Sequence, residues 1–412
     1  MRALLVIGAS LIFATGVKGA EYVLGVDSLP QEGVPEGTVT EHVWEGSRIY
    51  PGTTHDYWVY VPAQYTDAEP AAVMVFQDGQ AYVTREGPVR APTVFDNLIH
   101  KGEMPVTIGV FINPGRREAG WDQRSAQYVP IDDTYVRFLL EEILPEVGKD
   151  YDLVDDAQGR AICGMSDGGL AAFTAAWHRP DAFSKIVSQI GSYTRLRGGS
   201  EYPYLIRRTR DKAKPIRVFI QGGTNDLNLT EGSWTLANLN MASALMFARY
   251  DHRVEIGDGG HDLVHGGAIF PDTMRWLWRD YPGVKGAGDA PSLEAVTGEW
   301  DVVTNVLGKD RNSVLTITAD EGALAATIDD EQHGEIQATV VDYDGGVLIY
   351  KYVEPIPEWV SSKDGDWKDV EWTGRMAAWV RVTGDTFEGA VGSEDKPLDY
   401  SVKGRRRGGQ GD

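Results

Sequence analysis

The stretch Ala161-Ile162-Cys163-Gly164-Met165-Ser166-Asp167-Gly168-Gly169-Leu170-Ala171-Ala172-Phe173 decides how this chain is read. A short apolar run, suited to a buried strand, leads into Gly164-Met165-Ser166-Asp167-Gly168. The residues from Gly169 to Trp177 then read as a helix. A serine on so sharp a strand-to-helix turn has its hydroxyl forced out of the sheet into a cleft, as in a nucleophile elbow. Glycines flank it because a side chain there would crowd the turn. The pentapeptide alone is weak, since Gly and Ser are common. The strand before it and the helix after it carry the assignment of Ser166 as a candidate nucleophile, against an ordinary connection with a solvated serine.

A serine nucleophile needs a base, and the base needs an orienting acid. Pro215-Ile216-Arg217-Val218-Phe219-Ile220-Gln221 reads as a strand, and Gly222-Gly223-Thr224-Asn225-Asp226 turns away from its end. Asp226 sits where a strand-end acid belongs, although Asp258 and Asp262 compete with it. A helical stretch from Thr235 to Tyr250 and a short strand, Arg253–Ile256, lead to Gly257-Asp258-Gly259-Gly260-His261-Asp262. His261 directly follows the Gly-Gly turn and is the favoured base; His265, nearer the next helix, is its rival, with a supporting or capping role as its plainer reading. The order Ser, Asp, His is that of one known triad arrangement. For the oxyanion, one donor is expected from the backbone N–H of Asp167. The second is placed in the loop Asp78-Gly79-Gln80-Ala81 after the strand Ala72–Gln77, at the Gln80 N–H, with a plain turn as the alternative. Trp121 and Trp234, placed on loops, are candidates for lining a substrate pocket.

These residues carry a resemblance. Gln77-Asp78-Gly79, Gly164-Met165-Ser166-Asp167-Gly168-Gly169, Gly223-Thr224-Asn225-Asp226 and Gly259-Gly260-His261-Asp262 resemble enterochelin-esterase-like esterases. Those are relatives of esterase D and of the feruloyl and acetylxylan esterases of carbohydrate esterase family one. The likeness spans residues 40 to 282 and implies an α/β-hydrolase sandwich with a mainly parallel sheet. It implies Ser166 as nucleophile, Asp226 as acid and His261 as base, acting on an ester through an acyl-enzyme. The implied substrates are carbohydrate-linked feruloyl or acetyl esters first, a siderophore or other lactone second. A mycolyltransferase-like acyl transfer to a sugar, and a noncatalytic glycan- or partner-binding protein on the same fold, are the competing readings. One departure stands out. Many relatives carry Arg-Ser-x-Glu-Tyr, whereas this chain has Arg124-Ser125-Ala126-Gln127-Tyr128, and Gln127 cannot supply a glutamate's charge.

Composition narrows the partners. With 412 residues and a formal charge of −22, the chain is long enough for a sizeable core and too acidic to favour nucleic acid or anionic membrane. Lys403-Gly404-Arg405-Arg406-Arg407 is basic, but short and Gly-flanked, and reads as a solvated tail. Residues 1–20 read as a bacterial-type secretory signal: Arg2, an apolar core from Ala3 to Ala14, and small residues Val17 and Gly19 before cleavage. That core is too short for a comfortable span, so a secreted or periplasmic protein with no membrane span is expected. The single cysteine, Cys163, cannot form an intrachain disulfide and reads as a core residue. No metal-ligand spacing or phosphate-cradling loop is visible, and no cofactor is expected.

The remaining organisation follows from periodicity. Residues 21–37 read as an extended lead-in and residues 38–282 as the α/β domain. Within it, Val106–Ile112 and Phe183–Ile190 are further strands, and Asp133 to Lys149 is the best amphipathic helix. Residues 283–291 are Gly/Pro/Ala-rich and read as a linker. Residues 292–405 read as a small all-β domain, with strands at Val314–Thr318, Glu335–Val341, Val347–Val353 and Ala378–Val382, and 406–412 as a flexible tail. Gly298-Glu299-Trp300 resembles the entry signature of lipocalin-type barrels. Asp329-Asp330-Glu331 reads as a solvated hairpin turn. Trp359, Trp367 and Trp372 read as core or hairpin-closing residues, or as a platform for sugar rings.

Overall fold

The computed structural model describes residues 22–117, 123–195, 198–285, 293–306, 308–320, 323–331, 333–344, 347–354, 374–393 and 399–408. The first unit is built on eight strands: β1 (Thr38–Trp44), β2 (His55–Val61), β3 (Ala72–Gln77), β4 (Thr107–Ile112), β5 (Arg160–Met165), β6 (Lys185–Gln189), β7 (Arg217–Gly223) and, after a minimal hairpin of β8 (Asn228–Leu229) and β9 (Gly232–Ser233), β10 (Asp251–Gly257). Their order in the sheet is β1-β2-β4-β3-β5-β6-β7-β10. The first three run antiparallel, and every pair from β4 onward is parallel.

Parallel strands need helical crossovers, which cover both sheet faces and let the strands be apolar throughout. β3, β4 and β6 are accordingly buried at every residue. Alternation then sorts the side chains. Val73 and Val75 face a core with Leu170 and Phe173 of the helix Asp167–His178. Met74 and Phe76 face the opposite core, with Phe95 and Leu98 of the helix Ala91–Lys101 and Phe270 and Met274 of the helix Phe270–Trp278. Cys163 is free and buried in that second core.

The helix expected over 133–149 is not continuous. It runs as Thr134–Phe138, a π turn at Leu139–Ile143, and Leu144–Val147. Pro145 supplies the reason, because it has no N–H to give the carbonyl four residues back. The lead-in is also more than an extended approach. Tyr22 stacks on His265, and Asp27 forms ion pairs with Lys101 and Arg275.

The second unit is a closed antiparallel barrel of β11 (Gly298–Val306), β12 (Lys309–Asp320), β13 (Ala323–Asp330), β14 (Gly334–Asp344), β15 (Val347–Val353), β16 (Arg375–Thr383), β17 (Thr386–Ser393) and β18 (Asp399–Arg406). The basic run expected as a solvated tail lies, up to Arg406, in β18, which pairs with both β17 and β11 and closes the barrel. Arg406 lies over the buried Trp300 ring at 4.4 Å and donates to the Ala295 and Thr297 carbonyls. The Trp300 Nε1 donates to the Val296 carbonyl at 2.8 Å. Asp330 is not a solvated turn residue either; it ends β13 and pairs with Arg311. Trp359, Trp367 and Trp372 lie outside the described residues, as does the leader-like stretch.

Candidate active site

The elbow forms where β5 hands over to the helix Asp167–His178. Ser166 has φ 55° and ψ −121°, a conformation that costs a non-glycine residue about 1–3 kcal/mol. The surroundings hold it there: its N–H donates to the Gln189 carbonyl at 2.9 Å, and its carbonyl accepts from Leu170 and Ser192 at 3.1 and 3.0 Å. Gly164 is required by close approach, because a Cβ on it would stand 2.3 Å from the Gly168 carbonyl oxygen. No side chain caps the helix at Ser166, which leaves Asp167 leading its first turn beside the serine.

The candidate acid and base arrive from the ends of β7 and β10. Thr224 N–H donates to the Gly257 carbonyl at 2.8 Å, and the Asn225 side chain donates to the Asp258 carbonyl at 2.7 Å, which stitches the two loops together. Asp226, with a fully buried side chain, faces His261 Nδ1 through Oδ1 at 2.5 Å. The same oxygen accepts the Leu227 N–H at 2.6 Å. His261 Nε2 lies 2.9 Å from Ser166 Oγ. One relay therefore runs from a buried carboxylate through an imidazole to a half-buried hydroxyl, the geometry in which a histidine takes and returns a serine proton.

The rivals lie elsewhere. His265 is buried, accepts from Gln221 Nε2 at 3.0 Å, and stacks on Tyr22 with centroids 4.3 Å apart. Burial lowers its pKa. Asp258 accepts the Tyr22 hydroxyl at 2.6 Å, and Asp262 accepts the Val264 N–H at 2.9 Å.

Two sequence expectations need correction. The Gln80 N–H is already committed, donating to Asn113 Oδ1 at 3.0 Å, because the loop after β3 folds back onto the end of β4. Trp234 is no loop residue: it opens the helix Trp234–Phe247 and is 3% exposed. Its ring stands edge-on to His261, with centroids 5.9 Å apart, so it packs the base rather than lining an open pocket. Trp121 lies outside the described residues.

Ser192 was not singled out by sequence, and Arg124 entered only as the first residue of the Arg-Ser-x-Glu-Tyr pattern, with no role assigned to it. Ser192, fully buried, places its Oγ 3.2 Å from Ser166 Oγ and accepts the Trp234 Nε1–H at 3.1 Å. Arg124 grips Asp78 through two bonds of 2.8 Å and Asp167 through one of 3.0 Å. It thereby ties the loop after β3 to the residue after the serine. Burial opposes its charge, yet bonding to Asp78 and the nearby Asp78 and Asp167 carboxylates raise its pKa. Gln127, where relatives carry glutamate, is buried, accepts the Gly115 N–H at 2.8 Å and faces His55 Nε2. Burial pushes the His55 pKa down to about 4, so a neutral amide meets a neutral imidazole.

Comparison with known proteins agrees with this architecture. A family model described as "Putative esterase" matches residues 51–277. The iron(III) enterobactin esterase of Escherichia coli O6:H1 is 26% identical over 235 residues, covering 56% of this chain and 54% of that protein. The chain thus spans about half the length of the curated relatives it matches. Among solved structures, the enterochelin esterase of Shigella flexneri aligns with a TM-score of 0.50 at 23% identity, covering 61% of this chain and 60% of that one. A CE1 ferulic acid esterase from Anaeromyces mucronatus aligns with a TM-score of 0.50 at 19% identity, covering 63% and 95%. With more than half of its length matched by that model, the chain belongs to the putative esterase family of α/β-hydrolases.

Proposed function

We propose that this protein hydrolyses carboxylic esters with Ser166 as nucleophile, His261 as general base and acid, and Asp226 as the orienting carboxylate. The relay Asp226–His261–Ser166, with contacts of 2.5 and 2.9 Å, carries the proposal. His261 takes the Ser166 proton as Oγ attacks the ester carbonyl. The Asp167 N–H, at the head of the helix, donates to the oxyanion. Collapse of the tetrahedral intermediate expels the alcohol, which leaves with the proton from His261. Water, deprotonated by His261, then attacks the acyl-enzyme and releases the acid. Asp226 accepts from His261 Nδ1 and holds the imidazole tautomer. No step calls on a metal or organic cofactor.

Carbohydrate-linked feruloyl or acetyl esters are the first substrate class. The resemblance to curated enterobactin esterases favours a siderophore lactone as the second. The leader-like stretch at residues 1–20 supports an exported protein; among the described residues no helix is long and apolar enough to cross a membrane. The test is hydrolysis of para-nitrophenyl acetate, methyl ferulate and enterobactin by the parent and by Ser166→Ala. Turnover in the parent with a loss of about a thousandfold or more in the variant is expected. Undiminished turnover in Ser166→Ala, or a folded parent that neither turns over nor is labelled by an organophosphonate, would refute the assignment.

A further inference from the structure

The barrel's inward face changes character along its axis. At one end Trp300, Leu315, Leu348, Val380, Phe387 and Val402 are buried and fill the interior beneath the Arg406 clasp. At the other end, where β11 meets β12 and β13 meets β14, the described residues leave a hollow. A cavity of about 310 Å³ opens there. Its walls are Ile328, Ile336, Met376 and Val391, with Tyr352 and Tyr400 between them. These positions continue the inward alternation of their strands, so the hollow belongs to the barrel lumen and is not a surface crease. An eight-stranded barrel is wide enough either to be filled by side chains or to hold one small ligand, and this one does each in half of its length.

The rim carries a compact ionic group. Arg311 pairs with Asp330 and Glu354, each at 3.2 Å, and His333 Nδ1 lies 3.1 Å from Asp330 and 3.4 Å from Glu354. The Asp330, Glu354 and His333 side chains are only 9–15% exposed. Two carboxylates outnumber one guanidinium whose Nη atoms already point at them. An entering anion would meet the Asp330 and Glu354 carboxylates, with Arg311 and His333 already engaged by them. An entering hydroxyl would meet acceptor oxygens.

We propose that the barrel lumen is a second ligand site, separate from Ser166, for a small uncharged molecule with an aromatic or branched apolar body and a hydroxyl head. The body packs among Ile328, Ile336 and Met376, and the head donates to Asp330 or Glu354. At about 310 Å³ the hollow suits a molecule at the small end of the ligands that protein pockets take.

The test is calorimetric titration of the full chain with para-butylphenol and para-butylbenzoate, probes that share a body and differ in head charge. The phenol is expected to bind at least about tenfold tighter than the benzoate. Binding should survive labelling of Ser166 by an organophosphonate, which separates the barrel from the esterase cleft. Met376→Trp, which fills the lumen, should abolish it while ester turnover stays at the parent value. The paired variant Asp330→Asn/Glu354→Gln keeps the volume and frees Arg311, so it should narrow or invert the phenol-to-benzoate preference by about tenfold. A collapsed barrel would lose both probes and could not give that inversion. Absence of phenol binding, equal binding of both probes, or phenol binding unchanged in Met376→Trp would overturn the proposal.

Discussion

Ser192 shows what the contact geometry around Ser166 adds to the relay. Trp234 Nε1–H donates to Ser192 Oγ at 3.1 Å, and with the Ser166 hydroxyl donating to His261 Nε2, the Ser192 hydroxyl is the donor left for Ser166 Oγ, 3.2 Å away. A donor aimed at the nucleophile oxygen steadies the charge that gathers there as the proton leaves. Ser192→Ala is expected to lower kcat about tenfold with KM nearly unchanged. Trp234→Phe should lower it less, and the two together no more than Ser192→Ala alone, because they act through one hydrogen bond. Additive losses in steady-state kinetics would show that Ser192 and Trp234 act independently. The two histidines separate just as sharply. His261→Ala should lose turnover to the level of Ser166→Ala, since each removes the same proton transfer. His265→Gln should keep most of kcat, because His265 bonds Gln221 and stacks on Tyr22 instead of facing the serine. Comparable losses in both variants would count against the relay as drawn.

At the scale of elements, the departure of Gln127 from the family pattern is compensated locally. Its Oε1 anchors the Gly115 N–H while its amide meets His55, which burial holds neutral down to about pH 4. A carboxylate there would offer one oxygen to Gly115 and the other to a protonated imidazole. Gln127→Glu is therefore expected to raise the His55 pKa from about 4 by one unit or more, read by NMR titration of the imidazole. The sign for stability follows. The buried His55 takes up its proton less readily than an unfolded histidine, so the parent loses stability as pH falls from 6.5 towards 4. The variant should lose less over the same window, checked by melting temperatures at pH 7 and pH 5. Comparing elements also shows which features were legible. β3 and β5 to β7 were readable because apolar runs bounded by glycines have few other solutions, and the candidates Ser166, Asp226 and His261 were found because each sits in a glycine-bearing turn at a strand end. The π turn at Leu139–Ile143 was hidden, since Pro145 breaks a helix without disturbing its apolar spacing. The engaged Gln80 N–H was hidden as well, because its acceptor, Asn113, is 33 residues away. β18 was misread because strand alternation in Lys403–Arg407 is written in Gly and Arg rather than in apolar residues.

For the whole molecule, the question is how far the barrel and the α/β unit depend on each other. Each closes its own hydrogen-bond ladder, the first as an eight-stranded sheet, the second as a barrel, and each has its own apolar cores. Two cores of this kind unfold as two transitions when little packing couples them. Arg406 provides a handle on the barrel alone. It covers the Trp300 ring at 4.4 Å and satisfies the Ala295 and Thr297 carbonyls, so Arg406→Ala uncovers an aromatic face and leaves two acceptors unpaired at the barrel's closed end. The loss should be about 2–4 kcal/mol, from the cation–π contact and the two charge-assisted bonds together. Calorimetric scans of the parent and Arg406→Ala should then show one transition moved down by several degrees and the other unmoved. Ester turnover at moderate temperature should be unchanged, because Ser166, Asp226 and His261 are all positioned by strands of the first sheet. A single transition that shifts as a whole, with activity falling alongside it, would mean instead that the barrel is a structural part of the esterase unit, and that the lumen and the serine site fold as one cooperative body.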